Sequence, residues 1–191
     1  MTPAPTLMTV DDYFNKTPET VKPMELVYGL LRAADSPTAR HQSAVLQLLL
    51  ALNTHVEERK LGRMWVAPLD VVLDYDRALI VQPDLFFVSN ERAHIVQDHV
   101  HGAPDLVIEV LSPYPRIGRT DERVRWFIQY GVRECWLVRQ DQRSVRVIQA
   151  TETSSYTSEP GIAGQRDYTR AAPIESKVLP DFSLRLDDIL D

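Results

Sequence analysis

Two apolar runs, Ala78 to Val88 and Leu106 to Leu111, each carry a single acid, Asp84 and Glu109. Short runs of β-branched and aromatic residues bounded by turn residues read as strands. A carboxylate inside such a run is costly unless something pairs with it. Any fold this chain adopts must therefore give each acid a partner or keep it neutral. A divalent cation between them would do so. So would ion pairs to some of the many arginines, because ion-pair networks also hold buried acids. The residues alone leave both readings open. Glu25, in the apolar run Met24 to Arg32, is a third acid of this kind. Alternation along a strand from Asp105 puts Asp105, Val107 and Glu109 on one face and Leu106, Ile108 and Val110 on the other. The same rule sets Gln82 on the face of Asp84.

The flanking segments build the rest. Thr9 to Phe14 predicts a short helix with Thr9 as N-cap and Asp12 three residues on, in an arm running to Lys22. Thr17 to Pro23 reads as a loop. Ser36-Pro37-Thr38 opens the longest helix, Ala39 to Lys60, in which Val45, Leu48, Leu49, Leu52 and Val56 recur at helical spacing. Met64 to Leu73, broken by Pro68, and Ala78 to Val88 predict a hairpin. Asn90 to His101 is polar, with room for a short helix. Ser112-Pro113-Tyr114-Pro115 ends the strand at Leu111. Arg119 to Tyr130 predicts a second helix, stopped by Gly131. Arg133 to Val138 and Ser144 to Gln149 follow as strands, Thr151 to Glu159 as a solvated strand or a loop, and Leu179 to Leu190 as a closing strand with a short helix. The order predicts an α/β domain, a mixed sheet with helices packed on it. With 191 residues and no internal repeat, one domain suffices, with a core from residue 23 to 191.

Composition excludes several classes. No apolar run is long enough for a membrane span. The start lacks the basic and apolar regions of a secretory signal. Cys135 is the only cysteine, which excludes an internal disulfide and multi-cysteine zinc sites and fits a reducing cytoplasm. It reads as inert core. The net charge of −6 argues against binding nucleic acid by bulk charge, but a nuclease needs only a local basic face. Arg116, Arg119, Arg123 and Arg125 offer one around a helix start, and equally read as a solvated face with Asp121 and Glu122. His94, His99 and His101 read as solvated loop histidines, and Trp126 and Trp136 as core. No Gly-rich phosphate loop, Ser nucleophile motif or Rossmann fingerprint occurs.

Val81-Gln82-Pro83-Asp84-Leu85-Phe86-Phe87-Val88, followed by Gly102 to Pro113, resembles the Uma-type endonuclease family of the PD-(D/E)XK nuclease superfamily. Gly131 to Val138 resembles that family's next segment. Thr9 to Phe14, Met24-Glu25-Leu26 and Ser36 to His41 resemble its N-terminal pattern. The likeness covers nearly the whole chain and implies a restriction endonuclease-like fold. It implies that Asp84 and Glu109 hold Mg²⁺ or Mn²⁺, with Glu25 as an accessory acid and Gln82 lining the site. His41 matches a family histidine, and reads equally as a helix-start residue bonded to backbone.

Two positions depart from the pattern. Leu111 stands where the superfamily has Lys two residues after the acid, and the basic residue that replaces it in the next helix is Arg123. Tyr28 and Leu30 flank Gly29 where the family has acids. The implied function is metal-dependent hydrolysis of nucleic-acid phosphodiesters, with DNA as the favoured substrate and a twofold homodimer for cutting both strands. The rival is a non-catalytic module that binds nucleic acid or protein through the same fold. A hydrolase of small phosphate esters is a third reading.

Overall fold

The structure, a computed structural model, describes residues 7–17, 22–33, 36–111, 120–151 and 161–190. The turn at Ser112 to Pro115, Arg116, Arg119 and nearly all of Thr151 to Glu159 lie outside the described residues.

Helix α1, Val10–Lys16, opens as expected: Thr9 Oγ1 accepts from Asp12 N–H at 3.0 Å, and Asp12 Oδ2 accepts from Thr9 N–H at 3.2 Å. Strands β1, Met24–Val27, and β2, Leu30–Ala33, form a hairpin. Tyr28 and Gly29 between them have φ of 49° and 81°, the positive pair that a tight hairpin turn needs. Helix α2, Ala39–Glu58, has Thr38 as N-cap and buries Ala44, Val45, Leu48, Leu52 and Val56.

The ribbon predicted from Met64 to Val88 forms, but it is divided between two sheets. Its outer half pairs β3, Gly62–Val66, with β6, Leu85–Ser89; its inner half pairs β4, Val71–Asp74, with β5, Leu79–Val81. Pro68 and Pro83 stand at the divide. Neither has an N–H to donate, so the ladder stops at both and the chain changes direction there. Ala67 N–H donates to Asp84 O at 3.1 Å across this seam. A 3₁₀ turn, Asn90–Ile95, leads to β7, Val100–His101, then β8, Leu106–Leu111, and helix α3, Thr120–Gln129. Strands β9, Glu134–Arg139, β10, Ser144–Ala150, and β11, Ile162–Tyr168, follow.

One sheet has the order β2-β1-β5-β4-β7, and the other β11-β10-β9-β8-β6-β3. Both are mixed, with β4–β7 and β8–β9 parallel. The layers are set by side-chain alternation. Leu106, Ile108 and Val110 face α2, whereas Val107 faces α3, where Phe127 and Ile128 pack with Val71, Leu79 and Val81 of the first sheet. The far side of that sheet, Leu26, Val72 and Ile80, is covered by Val10 and Tyr13 of α1.

The C-terminal segment does not close the main sheet. Ser183–Leu184 pairs only with Ile174–Glu175, as β13 and β12. The edge beside β10 is taken by β11, so Leu179, Phe182, Leu184, Leu186, Ile189 and Leu190 go to the core on the α2 side. The short helix expected at the end is a 3₁₀ turn, Leu186–Asp188. Among the described residues no helix is long and apolar enough to cross a membrane.

Glu134 ties this segment to the sheet. It is fully buried and accepts from Trp136 Nε1, Ser176 Oγ and Lys177 N at 2.8, 2.7 and 2.9 Å. Glu134→Leu leaves those donors unpaired in the core and should lower stability by about 3–5 kcal/mol in urea unfolding. A loss under about 1 kcal/mol would show that the donors find other acceptors.

Candidate active site

The candidate residues meet at the seam between the two sheets. Gln82-Pro83-Asp84 carries the chain from β5 into β6. Leu85 pairs with Ile108, so one further step of that register sets Asp84 opposite Glu109. Asp84 Oδ2 accepts from Val110 N–H at 2.7 Å, which fixes the carboxylate against β8. Its Oδ1 lies 3.2 Å from His41 Nε2. The first turn of α2 holds His41 there, its backbone N–H donating to Thr38 Oγ1. The bond to Asp84 raises the pKa of His41, burial opposes the rise, and the charge of Glu109 adds to it.

Glu109 points to the α3 side, and Arg123 of α3 meets it. Arg123 Nη2 and Nε donate to Glu109 Oε1 at 2.7 and 3.2 Å, and Nη1 donates to Glu25 Oε2 at 2.6 Å. Glu25 Oε1 accepts from Gln82 N–H at 2.8 Å. One guanidinium thus joins a carboxylate of the first sheet to one of the second. The side chains of Arg123, Glu25 and Glu109 are 12, 4 and 13% exposed. Arg123 also lies 5.6 Å from the Phe127 ring centroid, where the ring face attracts a cation. Burial pushes the Glu109 carboxyl up, to about 7, with Arg123 restraining the rise and Asp84 and Glu25 adding to it. Burial disfavours the charge on Arg123, but Glu109 and Glu25 outweigh it and hold its proton more tightly than usual.

The family model Uma2, described as "Putative restriction endonuclease", matches residues 10–187. The chain belongs to the Uma2 family. A crystal structure of a "putative nuclease belonging to DUF820" from Anabaena variabilis ATCC 29413 has the same fold, with a TM-score of 0.76 at 18% identity over 95% of this chain and 97% of that one. None of the curated proteins matches the chain.

The six residues named from the Uma2 resemblance fall in two neighbouring hydrogen-bonded groups, His41 with Asp84 and Gln82 with Glu25, Arg123 and Glu109, and Asp84 reaches β8 through Val110 N–H beside Glu109. The seam alters the place of Gln82. The strand breaks at Pro83, so alternation does not carry through to Asp84, and Gln82 Nε2 donates at 2.9 Å to Asp70 Oδ1. The Tyr13 hydroxyl lies 3.1 Å from that same oxygen. Asp70 and Tyr13 gave no signal in the sequence: Asp70 lies in the short link between Pro68 and β4, and Tyr13 is one aromatic of a short amphipathic helix. Gln82 Oε1 is buried with no hydrogen-bond partner.

His99 is not simply solvated. Its ring stacks on Phe14 at 4.1 Å, and Nδ1 lies 3.8 Å from Asp70 Oδ2. His94 and His101 are exposed. Arg125 is exposed beside Asp121, away from the cluster. Trp126 and Trp136 are core residues, and burial drives the pKa of the Cys135 thiol upward.

The donor set fits a hard divalent cation. Three carboxylates, Glu25, Asp84 and Glu109, face one guanidinium and one imidazole. Among the described residues no three His, Cys, Asp or Glu side chains are arranged to hold a metal ion. Carboxylate oxygens are the donors that Mg²⁺ takes, one or two at a time with several waters kept.

Arg123→Ala leaves Glu25 and Glu109 without their counter-charge and should cost about 3–5 kcal/mol in denaturant unfolding. Arg123→Lys should recover less than half of that loss, because one ammonium cannot present two edges to two carboxylates. Full recovery with Lys would show that charge alone matters.

Proposed function

We propose that this Uma2-family chain is a divalent-metal-dependent endonuclease that hydrolyses phosphodiester bonds of nucleic acid, with DNA as its substrate. The observation that supports it most is the placement of Asp84 beside Glu109 at the seam, with Asp84 Oδ2 accepting from Val110 N–H, in a group whose carboxylates outnumber its cations. Asp84 and Glu109 would hold Mg²⁺ or Mn²⁺. Such an ion supplies an activated water and neutralises charge on a phosphodiester.

The chain's own residues have separate tasks in this reading. Val110 N–H and His41 fix the direction of the Asp84 carboxylate. Glu25 holds Arg123, and Gln82 N–H holds Glu25. Arg123 keeps its charge at any working pH. It is suited to stabilising charge that develops on the phosphate, and unsuited to taking a proton. The superfamily's Lys is a compact charge that can lose its proton, so Leu111 and Arg123 move this site toward electrostatic stabilisation. Two copies about a twofold axis match the symmetry of a duplex. The single buried Cys135 accords with a cytoplasmic setting.

The second reading, a non-catalytic module that binds nucleic acid, draws on Leu111 and on the closed ion pair at Glu109. Plasmid DNA, single-stranded DNA and RNA incubated with Mg²⁺ or Mn²⁺ separate the two. The nuclease reading expects metal-dependent cleavage that Asp84→Asn and Glu109→Gln each reduce by about a hundredfold or more, the scale of losing one transition-state-stabilising group. Cleavage by Asp84→Asn at the wild-type rate would sink it. Salt-dependent DNA binding without product would select the module.

A further inference from the structure

Helix α2 buries one face against the larger sheet, and among the described residues nothing covers the other. Leu46 and Leu50, one turn apart, are 52 and 55% exposed. Gln42, Ser43, Gln47 and Thr54 around them are exposed and uncharged. No Asp, Glu, Lys or Arg occurs between Arg40 and Glu57. The outer face of a surface helix ordinarily carries charged residues. This one is neutral over about four turns.

Charge returns only at the ends: Arg40 in the first turn, exposed and with Nη2 donating to Gln140 O at 2.8 Å, and Glu57 and Glu58 in the last, followed by Arg59, which pairs with Asp181, and Lys60. Counted from Leu46 in steps of about 100° per residue, Ser43, Leu50 and Glu57 lie within about 60° of it. Arg40 and Glu58 both lie about 120° away, on the same edge. A helix with this pattern complements itself when reversed. About a twofold axis perpendicular to both helices, each edge of one meets the same edge of the other. Leu46 then meets Leu50 of the partner subunit, and Arg40 meets Glu58 of the partner subunit. The midpoint of 46 and 50 is residue 48, and that of 40 and 58 is residue 49. The apolar and the charged pairs therefore call for the same axis to within one residue, about 1.5 Å of rise. Glu57 comes beside the partner's helix N-terminus, where negative charge is favoured.

We propose that α2 of one copy packs antiparallel on α2 of a second copy through Leu46 and Leu50, with Arg40–Glu58 pairs at both ends. His41 lies about 140° round the helix from Leu46, so this interface leaves the Asp84 cluster clear. The proposal is independent of the nuclease reading.

Light scattering on the full chain tests it. Wild type should run at twice the chain mass of 21.8 kDa, and Leu46→Glu/Leu50→Glu as a monomer with an unchanged circular dichroism spectrum. Glu58→Arg should weaken the dimer several-fold, and adding Arg40→Glu should restore it. When Leu46→Cys and Leu50→Cys proteins are mixed and oxidised, the mixed disulfide should form ahead of either symmetric one; native Cys135 is buried and does not compete. Four results would each overturn the proposal: a monomeric wild type, a dimer indifferent to the double glutamate variant, no rescue of Glu58→Arg, or faster symmetric cross-linking.

Discussion

Arg123 is the point through which the two sheets hold each other. Its guanidinium reaches Glu25 on one sheet and Glu109 on the other, at 2.6 and 2.7 Å. It restrains the rise that burial imposes on the Glu109 carboxyl, since an unpaired buried carboxylate is far more costly than a paired one. The planar fork suits the task, because its edges address two carboxylates from one fixed position. Phe127 packs one turn along α3 from Arg123 and fastens the helix to the core beneath. Glu25 orients toward this bridge and Gln82 N–H closes on the other oxygen of Glu25, whereas Asp84, two residues later, is held separately by Val110 N–H and His41.

The seam itself is the work of two prolines. A ribbon that would otherwise be one continuous hairpin changes sheets at Pro68 and Pro83, because neither residue can donate to the ladder. Asp84 stitches the gap with both its backbone and its side chain. Its carbonyl accepts from Ala67, and its carboxylate accepts from Val110. A polar group at a break in pairing has backbone donors to satisfy it, so Asp84 sits there at lower cost than it would in the middle of a strand. The acidic cluster and the change of sheet are one feature.

Local physics made much of this legible. The capping box at Thr9 and Asp12, the apolar stripe of α2 and the alternation of β8 each depend on neighbours in sequence, and each appears within a residue or two of where the pattern sets it. The cluster was legible through Glu25, His41, Asp84, Glu109 and Arg123, on family resemblance added to the cost of burying acids. What escaped was non-local. A broken ribbon and an unbroken one share the same alternation, so the sequence could not show that β3 and β4 enter different sheets. Asp70 joins the cluster only because that break brings it beneath Gln82. The C-terminal apolar residues fit a strand or a core plug equally well, and the sheet edge they might have taken was already filled by β11.

The central proposal is that Asp84 and Glu109 hold a divalent cation beside the Arg123 bridge. Anomalous diffraction from a crystal soaked in Mn²⁺ tests it most directly. The account predicts a peak bounded by the Asp84 and Glu109 carboxylates, with Arg123 still joined to Glu25. An empty site at saturating Mn²⁺, or a peak on other residues, would contradict it.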